Sequence, residues 1–128
     1  SFIMKAIRVP LTIATFLSCA LVFGIAFSAD EPPNKPKHTI KDVMQKVHKG
    51  GLLKKVLDGQ AGPEEKLALL DHYISLLENK PPKGDMDSWH ELAGKAALAS
   101  AKVVVGREGA PAELKNATNC VACHKVHR

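Results

Sequence analysis

Gly62-Pro63-Glu64-Glu65-Lys66-Leu67-Ala68-Leu69-Leu70-Asp71-His72-Tyr73-Ile74-Ser75-Leu76-Leu77 is the clearest helical signal in the chain. Proline stands where the first helical residue needs no N–H partner, and Glu64 and Glu65 meet the positive end of the helix dipole. Leu67, Leu70, Tyr73, Ile74 and Leu77 recur at three- and four-residue spacing, which predicts one buried stripe. On that reading His72 faces solvent, while Leu69 and Leu76 lie off the stripe and permit a homodimer. The run Asn79-Lys80-Pro81-Pro82-Lys83-Gly84 ends the helix.

Three further helical segments flank it. From Thr39 to Leu57, Ile40, Val43, Met44 and Val47 share a face. Gly50-Gly51 then shift the phase, and Leu52, Leu53, Val56 and Leu57 form a second stripe, so a kink or a break is expected. Downstream, Ser88-Trp89-His90-Glu91 reads as a capping box. Behind it Ala93, Ala96, Ala97, Ser100, Val103 and Val104 make a small inward face, closed by Gly106 and Gly109. The last segment begins near Pro111 and carries Leu114, Ala117, Cys120, Val121 and His124. No stretch alternates as a strand would. Residues 39–128 therefore predict an all-α, antiparallel four-helix bundle with short loops.

The N-terminus has a different character. Lys5 and Arg8 precede an uncharged apolar run from Leu11 to Phe27, and Ala26, Ser28 and Ala29 offer a cleavage site. Residues 1–29 read as a signal peptide or, through residues 9–29, as a membrane anchor, since about 20 apolar residues span a bilayer. Cys19 is followed by more apolar chain, unlike an acylation site. Residues 30–38 form a Pro- and Lys-rich linker expected to trail from the domain. The folded part is expected to be periplasmic or otherwise exported, soluble after cleavage or anchored facing the periplasm. The formal charge is +5, and without Lys5 and Arg8 the 18 basic residues become 16 against 13 acidic ones. Those charges are interspersed, which argues against nucleic acid as a partner.

Beyond Ala29 only two cysteines remain, in Cys120-Val121-Ala122-Cys123-His124. A disulfide scaffold spreads its cysteines to close long loops, and these close almost nothing. C-x-x-C-H is the attachment pattern of a c-type haem. Residues three and four apart share a helix face, so two sulfurs can bond the haem vinyl groups while His124 reaches the iron. All four phenylalanines lie before Asp30, which leaves Tyr73 and Trp89 as the remaining aromatics. A flat macrocycle would supply the missing apolar volume, and the alanines of the third segment would let it approach closely. Two rivals use the same residues. A thiol-disulfide oxidoreductase would need a strand feeding the motif. A zinc site on Cys120, Cys123, His124 and His127 would crowd its ligands into eight residues.

With the motif on the closing segment, an Ile40-Lys41 start and Asp87-Ser88-Trp89 before the third helix, the chain resembles the cytochrome c-prime and c-556 group of four-helix-bundle cytochromes. The resemblance covers roughly Thr39 to Arg128. Trp89 to Cys120 is shorter than that group's usual span, and its arginine after the Ile-Lys start is missing. The resemblance implies one covalent haem c, with His124 as proximal iron ligand. In six-coordinate members a methionine of the first helix is the distal ligand, which here implies Met44. His48, one turn further on the same face, is the alternative distal ligand, with Gly50-Gly51 giving a flat ring room. In five-coordinate members that side stays open to nitric oxide or carbon monoxide. Trp89 edges the haem or staples a helix start, and His127 is expected at the surface. The expected function is one-electron transfer between redox partner proteins, a carrier rather than an enzyme.

Overall fold

Helix formation begins at Thr39 in the computed structural model, which describes residues 35–128. The Thr39 hydroxyl accepts the Asp42 N–H at 3.1 Å, and the Asp42 carboxylate accepts the Thr39 N–H at 3.1 Å. This reciprocal cap starts α1, residues 40–49, which changes pitch midway. Ile40–Val43 is α-helical, whereas Met44–Lys49 is a wider π turn, closed by the Gly50 N–H on the Gln45 carbonyl at 2.7 Å. A Cβ on Gly50 would stand 2.6 Å from the Lys46 carbonyl oxygen, so the tight closure requires glycine. Gly51 follows in the left-handed region at φ 81°, which ends the helix outright. The helix thus breaks, and α2 (Leu52–Leu57) starts afresh.

Pro63 opens α3 (Pro63–Glu78), where the Glu65 carboxylate accepts the Gly62 N–H at 3.0 Å. The inward face differs from the predicted stripe. Leu69, Tyr73 and Leu76 are 1%, 1% and 6% exposed, while Leu67 and Ile74 are 53% and 41% exposed. Leucines occupy two overlapping stripes on this helix, and periodicity alone does not say which one meets the core. The core takes Leu69 and Leu76 along with the tyrosine that both stripes share, so these leucines are interior rather than available to a second copy. Fully burying a leucine contributes about 1.5–3 kcal/mol, which Leu69 gains and Leu67 forgoes. His72 is buried too, contrary to the solvent placement. Its Nδ1 lies 2.6 Å from the Ala68 carbonyl and its ring stacks on His38 at 4.0 Å.

That stacking docks the end of the linker. His38 Nε2 and Lys37 Nζ reach the Asp71 carboxylate at 2.9 and 2.8 Å, and the Asn79 amide donates to the His38 carbonyl at 2.8 Å. Residues 37 and 38 are therefore held rather than trailing.

The third helix, α4 (Met86–Val104), begins ahead of the predicted capping box. The Asp85 carboxylate caps it by accepting the Ser88 N–H at 2.8 Å, which leaves the Ser88 hydroxyl free for another partner. The small face packs as expected, with Ala93, Ala96, Ala97, Ser100 and Val103 buried and Val104 half-buried. The Ser100 hydroxyl is satisfied by donating to the Ala96 carbonyl at 2.8 Å.

The fourth segment is two helices, α5 (Ala110–Ala117) and α6 (Cys120–His127). Thr118 turns its hydroxyl back onto the Leu114 carbonyl at 2.7 Å, and Asn119 leaves helical geometry to cap the Val121 N–H at 3.0 Å. Asparagine competes well for exposed N–H groups, so it restarts the helix at Cys120. α4 packs between α3 and α5, and Val43, Val47, Val56 and Leu114 complete one core. The described residues are helical throughout their regular structure, with no strand. No described helix is long and apolar enough to cross a membrane. The signal or anchor segment 1–29, Cys19 within it and the start of the linker lie outside the described residues.

Candidate functional site

Beside α4 lies a cavity of about 590 Å³, within the roughly 300–1,000 Å³ usual for sites that hold small molecules or cofactors. Cys120, Cys123 and His124 of α6 line one part of it, and Met44 and His48 of α1 line another. All five residues singled out in the sequence meet in this space. The Asn119 cap sets the start of α6, so the two cysteines and the histidine share one face of a short, well-defined helix. The π turn carries Met44 and His48 together, and such wide turns are common where a helix presents functional side chains.

The floor is α4, where Ala93 and Ala96 present methyl groups alone, so the backbone can come close to a flat occupant. Leu76, Leu92 and Trp89 add apolar surface. Trp89 is 3% exposed, and its indole N–H donates to the Leu76 carbonyl at 3.2 Å. It therefore serves as a packed wall of the cavity and as a tie between α3 and α4. The mouth has the opposite character. Lys41, Lys49, Lys95 and Arg128 border it, Lys95 paired with the Glu91 carboxylate at 2.6 Å, and among the described residues no Asp or Glu lines it. An occupant with an apolar body and anionic edge groups matches both features.

Burial, and behind it the neighbouring His124, hold the His48 imidazole below its ordinary 6.5. His48 therefore favours the neutral form, in which a ring nitrogen keeps a lone pair for a metal. Its ring meets Tyr73 edge-on, with centroids 6.1 Å apart. Both cysteines are free, Cys120 exposed and Cys123 half-buried. Burial first, then the neighbouring Cys120 charge, push the Cys123 thiol up from its ordinary value. A thiol-exchange centre needs its thiolate stabilised, which this environment opposes at Cys123.

His127 corrects the surface placement. It is 3% exposed, with Nδ1 3.0 Å from the Lys83 carbonyl and Nε2 3.1 Å from the Ser88 hydroxyl. Its ring meets Trp89 edge-on at 5.3 Å. Both nitrogens are thus committed to pinning α6 onto the start of α4, and neither is free for zinc. Among the described residues no three His, Cys, Asp or Glu side chains gather closely enough to hold a metal ion. A haem asks less of the protein, because the porphyrin supplies four of the iron ligands.

The place of Tyr73 at the cavity and the cationic mouth were not read from the sequence. Lys41 and Lys49 each adjoin a cavity-lining residue of α1, Ile40 and His48, so a helical-wheel reading of α1 around Met44 would have found them. Lys95 and Arg128 depend on how the helices pack and left no such trace. Neither known protein families, characterised proteins nor solved structures yielded a significant match to the chain.

Proposed function

We propose that this chain is an exported monohaem c-type cytochrome that carries single electrons between redox partner proteins. The observation that carries the reading is the convergence of Cys120, Cys123, His124, Met44 and His48 on one apolar cavity with a cationic mouth. Cys120 and Cys123 would hold the haem through thioethers, and His124 would bind the iron on one side. Met44, or His48 in its place, would take the other. Lys41, Lys49 and Arg128 would meet the two propionates, whose charge the apolar floor leaves at the rim. When bound, the haem supplies reversible one-electron change between ferric and ferrous iron.

The protein's part is to hold and to exclude. Thioether attachment keeps the group at high local concentration in a small domain, and His127 with Asn119 fixes the helix that bears it. The apolar floor keeps water from the iron. A ligand set that stays the same in both oxidation states minimises rearrangement. An antiparallel bundle, with α6 set across from α1, is the arrangement proposed to bring the two ligand sides together. Export follows from the leader-like residues 1–29 and from where thioether haem attachment takes place.

The test is the full chain produced where haem-ligation machinery is present. A pyridine haemochrome spectrum typical of two thioethers, and a mass raised by one haem, are expected. A polypeptide with the mass of its residues alone would end the reading. With haem bound, a low-spin ferrous spectrum unchanged by carbon monoxide supports the carrier. A high-spin spectrum that responds to the gas favours the open, gas-binding form, in which Met44 and His48 only wall the cavity.

A further inference from the structure

Tyr73 is 1% exposed, lines the cavity, and its hydroxyl has no hydrogen-bond partner within the protein. Leaving a buried hydroxyl unpaired costs about 1–3 kcal/mol, and native structures rarely tolerate it. Phenylalanine would fill the same space without that cost. The surroundings do not relieve it. Leu76, Ala93 and Ala96 offer no polar side-chain atom, and the polar residues that also line the cavity, Asn116, Thr118 and Asn119 among them, make no bond to the hydroxyl. His48 meets the tyrosine ring edge-on without bonding the hydroxyl. A phenol carries its proton at neutral pH, so it is a donor awaiting an acceptor.

We propose that Tyr73 is a binding residue of this cavity, whose hydroxyl donates a hydrogen bond to an oxygen atom carried by the cavity's occupant. The proposal rests on the haem reading, in which two oxygen sources exist. One is a propionate carboxylate of the haem itself, and the other is a small oxygen-bearing molecule bound at the iron. In either case the phenol withdraws negative charge from the oxygen, which favours the electron-richer ferrous state.

Tyr73 is the sole tyrosine of the chain, so its ultraviolet resonance Raman doublet reports this phenol alone. The measurement uses the haem-loaded full chain, first without added ligand and then under nitric oxide. A donor signature without added ligand assigns the acceptor to the haem carboxylate, and one that appears only under nitric oxide assigns it to the iron-bound molecule. Both uphold the proposal. Tyr73→Phe, which keeps the ring, is expected to lower the reduction potential of the form that shows the bond. A free phenol in both samples, with an unchanged potential in Tyr73→Phe, overturns the proposal while leaving the haem reading intact. Protein with no Soret band overturns both.

Discussion

The imidazole of His127 occupies the space that a side chain on Gly84 would need: a Cβ there would stand 2.5 Å from Nδ1. Gly84 also has φ 84°, a left-handed conformation that costs a residue with a side chain about 1–2 kcal/mol. The two constraints act on one joint, because Nδ1 is the atom facing the Lys83 carbonyl. Gly84→Ala is expected to push His127 off Lys83 and Ser88 and to loosen α6. The expected loss is about 2–3 kcal/mol, read as a thermal midpoint lower by roughly 8–24 °C, with less haem attached. An unchanged midpoint would show that the clamp is not needed.

In the proposed cytochrome Met44 and His48 would compete for one position, and replacing each by alanine separates them. Met44→Ala is expected to convert the ferrous spectrum from low to high spin and to admit carbon monoxide. His48→Ala is expected to keep the low-spin form. If only the His48 variant loses it, His48 is the ligand, and a lower reduction potential in the parent protein should accompany that result. Loss in both variants, or in neither, contradicts the ranking.

Ala96 is 4% exposed and lines the cavity floor. Ala96→Leu adds apolar volume where a macrocycle would lie. The chain is expected to fold without the group, at a cost of about 1–3 kcal/mol for overpacking, while haem content, read as Soret absorbance per polypeptide, falls at least tenfold. Undiminished haem would place the ring elsewhere.

Helix periodicity made the all-α class legible, and the spacing of Cys120, Cys123 and His124 marked the helix that carries the candidate site. Small residues told the truth on α4, since an alanine-rich face has only one side that fits tightly. Two kinds of feature stayed hidden. On α3 either leucine stripe could have been buried, because Tyr73 belongs to both, and the core took Leu69 and Leu76. At Ser88 and Asn119 the contest was between neighbouring caps, decided by a carboxylate and an amide whose reach is local. His127 was misplaced because its partners lie 39 and 44 residues away.

Asp71 joins Lys37 and His38 to α3, and hydrogen bonds first from Lys37 and then from His38 hold its carboxyl below the ordinary 3.8. A depressed carboxyl stabilises the fold above its unfolded value and loses that contribution as pH falls through the folded one. Unfolding of the haem-free protein should therefore show an acid-side loss below about pH 4 that Asp71→Asn lacks. The carboxylate is 40% exposed, so solvent screening limits the effect to about 0–1 kcal/mol. A larger difference, or one on the alkaline side, would contradict the assignment.

The π turn at Met44–Lys49 spends one residue more than an α-helix would on the same rise. Deleting Lys46 would let the segment rewind to ordinary pitch with little change of phase beyond it, because the wide turn is itself the one-residue excess. Met44 and His48 would then stand three residues apart and still share a face. The turn is thus a spare residue, and what it sets is the spacing of two side chains along one wall.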